Sequence, residues 1–90
     1  MVNSKQNFNK NTEDKLNEQI NKELYASYYY LALSSYFGNN NIGLDKLEDY
    51  FEKESLEERN HAKMLINYVN LRGGKVILKE IENPIITFKS

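Results

Sequence analysis

The chain has 90 residues, 40% of them hydrophobic and 28% charged, with a net charge of −1. That is enough for one small domain, and the near-neutral balance argues against a nucleic-acid binder, which needs a basic excess to neutralise phosphates. There is no cysteine, which excludes disulfides and thiolate metal sites, leaves any metal to oxygen and nitrogen ligands, and suits a cytoplasmic setting.

Met1 to Asn11 is rich in Asn, Lys, Ser and Gln, with Phe8 as its one aromatic residue. It lacks the apolar core of a signal peptide and reads as a flexible or extended arm. No apolar run approaches the roughly 20 residues that span a bilayer. Asn11 or Thr12 is placed to cap a first helix, with Glu13 and Asp14 in its first turn, where the helix dipole favours acid. From about residue 12 to 37 nothing breaks the helical pattern. Its seam runs through Leu16, Ile20, Glu23, Ser27, Tyr30, Ser34 and Phe37, with Leu24 and Leu31 beside it, at helical spacing. Gly38-Asn39-Asn40-Asn41 then ends the helix, these being residue types that accept a left-handed terminal position. So short a loop predicts that the next helix returns antiparallel.

The second helix is expected over about residues 44–72, stopped by Gly73-Gly74. Its seam, taken alternately three and four apart, is Leu44, Leu47, Phe51, Glu54, Glu58, His61, Leu65, Tyr68 and Arg72. The ends are mostly apolar and the centre is polar. Residues 75–90 alternate Val76, Leu78 and Ile81 with polar residues before Pro84, and read as an extended or irregular tail. The expected fold class is all-α, a long antiparallel helical hairpin forming a single domain over residues 1–90. Such a hairpin buries one stripe of each helix and leaves Tyr25, Tyr28, Tyr29, Tyr36, Leu56 and Ile66 on its flanks. That much apolar surface calls for a partner, so the bundle is expected to be completed by another chain.

The chemistry sits in the seams. A carboxylate in a core is costly unless it is paired or bound to a metal, and Glu23 interrupts one seam as Glu58 and His61 interrupt the other. Glu23 stands 17 residues before Asn40 and Glu58 stands 18 after it, so an antiparallel hairpin brings them to one level. Two carboxylates and one imidazole at one height in a bundle core make half of a di-iron carboxylate set, in which two helices give a Glu each and two give a Glu-x-x-His. Spacing alone leaves a second reading open, since Glu-x-x-His pairs are common on solvated helix faces and a seam Tyr30 is usually core.

A resemblance bears on that choice. Glu23-Leu24-Tyr25-Ala26-Ser27-Tyr28, Tyr30-Leu31, Glu57-Glu58-Arg59 followed by His61-Ala62, and Arg72-Gly73-Gly74 occur in an order and spacing that resemble ferritin, specifically its iron-oxidising heavy-type subunit, over about Leu16 to Pro84. The resemblance implies a ferroxidase centre with iron as its metal, oxidation of Fe(II) to Fe(III), and iron storage. It implies Glu23, Glu58 and His61 as ligands of one iron, with Glu58 bridging to a second. It places Tyr30 near the centre and makes Glu57 an acidic neighbour associated with iron passage or nucleation. A ferritin subunit has four long helices and a short fifth. This chain matches the first two and the start of the crossover, and Ile85 to Ser90 departs from the pattern. The expected partners are therefore iron ions and either further copies of the chain or a second ferritin-like chain. The competing expectation is a non-catalytic helical partner or assembly subunit with an incomplete centre.

Overall fold

The structure, a computed structural model, describes residues 8–39 and 42–86. Two helices form it, α1 (Lys10–Phe37) and α2 (Asp45–Leu71), packed antiparallel with an extended tail after α2. The molecule measures 60 × 20 × 13 Å. The smallest dimension is about one helix diameter, so the described chain is a single layer, whereas domains are built from two or more layers around a core. The expected all-α hairpin is present, as half of a four-helix bundle.

α1 begins earlier than Asn11 or Thr12 would set it. Asn9 is the cap, its side chain accepting from the Thr12 N–H at 2.8 Å. The extended-arm expectation is corrected at Phe8, which is 3% exposed and part of the core with Ile20 and Val69; residues 1–7 lie outside the described residues. Phe8 meets the Tyr68 ring edge-on at 6.2 Å and lies under the Arg72 guanidinium at 5.4 Å. An aromatic ring two residues before a helix is drawn in because the far end of α2 offers it apolar cover.

The turn also differs from expectation. Gly38 is right-handed at φ −82° and closes α1 by bonding its N–H to the Ser34 carbonyl; Gly43 takes the left-handed position at φ 64°. Asn40 and Asn41 lie outside the described residues. At the other end Gly73 is left-handed at φ 74°, as a helix terminus favours. Gly74 is needed for closeness instead: a Cβ there would sit 2.5 Å from the Phe8 ring and 2.9 Å from a Glu13 carboxylate oxygen.

The helices touch through small residues. Ser55 donates to the Ser27 carbonyl at 2.7 Å, Ser34 donates to the Glu48 carbonyl at 2.9 Å, and Ala62 is fully buried. The α1 seam holds at Ile20 and Ser34, which are buried, but Asn17 and Leu33 are buried beside it and Leu31, expected there, is 51% exposed. The α2 seam is corrected: the residues turned to α1 are Phe51, Ser55, Glu58, Ala62, Leu65 and Val69, with Ser55, Ala62 and Val69 buried. Leu44, Leu47 and Tyr68 are 45%, 39% and 42% exposed. Small Ser and Ala at the contact allow close approach, and the larger apolar stripe is rotated to the outer side of α2, where Leu44 and Leu47 are exposed and Tyr68 meets Phe8.

The tail is extended, and α1 holds its backbone. Glu13, Asn17 and Asn21 stand four apart on one face. The Lys75 N–H donates to Glu13 Oε2 at 2.8 Å. Asn17 donates to the Lys75 carbonyl at 2.9 Å and accepts from the Ile77 N–H at 2.7 Å. Asn21 donates to the Ile77 carbonyl at 2.9 Å and accepts from the Lys79 N–H at 2.8 Å. The match is geometric. Four helical residues rise about 6 Å and two extended residues about 6.6 Å, so each side-chain amide acts as one rung of a sheet ladder. Buried polar side chains at Glu13 and Asn17 are thereby satisfied. Asn17→Ala should cost about 1–3 kcal/mol by leaving the Ile77 N–H and Lys75 carbonyl without it; a thermal unfolding midpoint unchanged from the parent would contradict this role.

Candidate metal centre

Glu23 lies near the middle of α1 and Glu58 near the middle of α2, and the pairing of Ser27 with Ser55 places them opposite each other. His61 follows Glu58 by three residues, so both share a face. His61 Nδ1 is 3.5 Å from Glu23 Oε2 and 3.7 Å from Glu58 Oε2. One ligand atom from each of the three lies within 4.8 Å of the others, and among the described residues no other group of three His, Asp or Glu side chains converges in this way. Exposure is graded: the side chains of Glu23, Glu58 and His61 are 17%, 22% and 54% exposed. The expectation of three side chains sunk in the interior is thus corrected for His61, which sits at the rim because the hairpin covers the site from one side only.

Glu23 is fixed by a residue the sequence reading passed over. Gln19, one turn earlier, donates to Glu23 Oε1 at 2.8 Å. The available signal was the Gln–Glu pair at i, i+4. Glu23 Oε2 is buried with no hydrogen-bond partner. A buried lone acceptor is costly. It is satisfied by a proton held on Glu58, by an imidazolium at His61, or by a cation, and a carboxylate–carboxylate–imidazole set is the donor chemistry of first-row divalent metals.

The two carboxyls divide their proton unequally. Glu58 is pushed above the ordinary carboxylate value, chiefly by its hydrogen bond to Glu23, with burial and the Glu23 charge adding and His61 opposing. Glu23 is pulled below it, chiefly by the same hydrogen bond, with burial opposing and Gln19 and His61 helping. Glu58 therefore favours the fold at low pH and loses that contribution as pH rises through its raised value. Glu23 contributes above the ordinary value and loses it as pH falls through its lowered one. Above the raised value of Glu58 both carboxyls are charged and face each other, so a bound cation should stabilise most there. The rise in melting midpoint given by saturating Co(II) is expected to shrink between about pH 7 and about pH 5, because the metal must displace protons from its ligands. A metal-induced rise that does not change over that range would contradict it.

Tyr30 is half-buried and stacks on Phe51 with centroids 5.9 Å apart. Glu57 is exposed beside Glu58 and outside the converging trio. A groove of about 200 Å³, lined by Leu24, Arg59, Ala62, Lys63, Ile66 and Leu78, shares no residue with the trio and gives it no substrate pocket.

A helical hairpin bearing a Glu on one rod opposite a Glu-x-x-His on the other matches in residue type and spacing one half of a metal-carboxylate four-helix bundle. The ferritin-like domain profile matches residues 13–90, and the chain belongs to the ferritin family. The match takes in Ile85 to Ser90, which the sequence reading had placed outside the pattern. The chain is 45% identical over 86 residues to chloroplastic ferritin-2 of Glycine max, and equally to chloroplastic ferritin-3 of Vigna unguiculata. Each alignment covers 96% of this chain and 34% of the relative, so the chain spans about a third of the length of these curated relatives. The crystal structure of ferritin from the multicellular green alga Ulva pertusa superposes with a TM-score of 0.89 at 43% identity, covering 92% of this chain and 43% of that one. Among the described residues no helix is long and apolar enough to cross a membrane.

Proposed function

We propose that this chain binds Fe(II) through Glu23, Glu58 and His61 and, once facing helices complete the centre, supports its oxidation to Fe(III) for storage. The observation that carries the reading is the convergence of a buried Glu23 carboxylate oxygen with a second carboxyl and an imidazole on the opposite helix, one ligand atom from each lying within 4.8 Å of the others. Fe(II) is the substrate: each ion gives up one electron to oxygen. Glu23 and His61 are terminal ligands and Glu58, the carboxyl shared by both neighbours, bridges toward a second ion. Gln19 keeps Glu23 Oε1 occupied, which leaves Oε2 for the metal. Tyr30 is assigned a place beside the reaction, held flat by Phe51, and exposed Glu57 a part in bringing iron to the rim. Family membership supports iron as the metal.

A non-catalytic assembly subunit is the second reading, favoured by the one-sided ligand set and by the exposure of His61. Anaerobic titration with Fe(II), followed by admission of oxygen, separates the two. Tight binding and fast ferric absorbance fit the first, and binding without accelerated oxidation fits the second. The names of the two curated relatives assign those proteins to the chloroplast; the cytoplasmic expectation for this chain rests on its lack of cysteine.

A further inference from the structure

We propose that Gln19 sets the metal preference of this centre: by holding Glu23 Oε1 it makes Glu23 a one-oxygen ligand, which favours a small transition ion such as Fe(II) over a larger, oxygen-seeking ion such as Ca(II). The inference rests on the trio being a cation site and adds to it the residue that selects the ion.

The geometry starts from spacing. Gln19 and Glu23 stand four apart on α1, so their side chains share a face, and the Gln19 amide donates to Glu23 Oε1 at 2.8 Å. That bond occupies one of the two carboxylate oxygens. The other, Oε2, is buried without a hydrogen-bond partner and is the atom 3.5 Å from His61 Nδ1. The two oxygens thus have separate tasks, one tied back along α1 and the other turned across to α2. Glu23 cannot set both on a single ion without giving up the amide. α2 has no matching donor. The residue one turn before Glu58 is Glu54, and an ionised carboxyl has no hydrogen to give. Glu23 is therefore the ligand held from behind, and Glu58 the one left free to be shared.

The number of oxygens a carboxylate offers bears on ion size. Ca(II) gathers about six to eight oxygen ligands and readily takes both oxygens of one carboxylate. Iron accepts imidazole nitrogen, whereas Ca(II) is suited by oxygen alone. His61 supplies the nitrogen that Fe(II) uses, and Gln19 withholds the oxygen that Ca(II) would use.

The test compares the parent chain with Gln19→Leu and Gln19→Ala, both of which remove the donor. Gln19 is exposed, so both variants should keep the parent's helical circular dichroism. Titration with Co(II), standing in for Fe(II), and separately with Ca(II) gives a ratio of affinities. Both variants should lower the Co(II)-to-Ca(II) ratio by at least about 10-fold, the lower end of what groups behind a metal ligand are worth. In metal-minus-apo infrared spectra with Ca(II), the gap between the antisymmetric and symmetric carboxylate stretches should narrow in both variants, as it does when one carboxylate chelates. A parent that binds Co(II) and variants that keep its ratio and its infrared gap overturn the role of Gln19 and leave the trio standing. Equal losses for both ions, with the ratio unchanged, reduce Gln19 to a structural support and overturn the selectivity. A shift in one variant alone assigns the effect to the new side chain and overturns it too. A parent that binds no Co(II) overturns the trio, and this inference with it.

Discussion

A Glu58→Ala chain should bind Co(II), standing in for Fe(II), at least about 100-fold more weakly than the parent and should lose rapid oxidation of Fe(II). Outer-shell groups around metal ligands are worth about 10–100-fold in affinity, and Glu58 is proposed as a direct ligand, so the loss should reach or exceed that range. Glu58 also lies 3.7 Å from His61 Nδ1, and its removal frees the ring to turn away. The fold should survive, because the Glu58 side chain is partly exposed and outside the buried cluster of Phe8, Ile20 and Val69. Glu57→Ala is the matched control: it removes an equal charge one residue away, on the exposed side, and should leave affinity within a few-fold. Isothermal titration measures both, and stopped-flow absorbance of the ferric product measures the oxidation. Parent-like values for Glu58→Ala would remove it from the centre.

The largest stability effect is expected at Ile20. It is fully buried, packed where Phe8, Val69 and the partly buried Leu16, Leu24 and Val76 meet. The arm, both helices and the tail therefore share this one side chain. Ile20→Ala removes buried methyl groups and leaves a cavity, costing about 2–5 kcal/mol. For a domain of this size each kcal/mol lowers the melting midpoint by about 4–8 °C, and a single-layer hairpin has little reserve, so the variant should melt far below the parent or not fold. Ile20→Val should cost only about 0.5–1.5 kcal/mol. Thermal circular dichroism of both would show whether the core is centred here; equal midpoints for the two would show that it is not.

The hairpin and its register were legible because two long runs lacked breakers and Gly-Asn and Gly-Gly punctuated them. Glu23 and Glu58 were legible as candidates because charge in a seam is an exception that helical periodicity exposes. The arm was misread because polar Asn and Lys around Phe8 outweighed one ring, and nothing local says that α2 ends beside it. The α2 face was misread for a different reason. Periodicity locates the stripe with the larger apolar groups, whereas the contact with α1 is made by Ser55 and Ala62, which carry little hydrophobic weight. The stripe read from Leu47, His61 and Tyr68 lies on the outer side of α2, exposed at Leu47 and His61 and met by Phe8 at Tyr68. The tail's path was hidden because Glu13, Asn17 and Asn21 look like ordinary solvated positions until a backbone is seen against them.

The grip of Asn17 and Asn21 falls on main-chain groups of residues 75, 77 and 79, never on their side chains. Sequence drift at those three positions should therefore be tolerated, while chain length is not. Deleting Lys75 would shift the alternation by one, move Val76 out of its packing and set Ile77 in its place. Indels, rather than substitutions, are what this strap forbids.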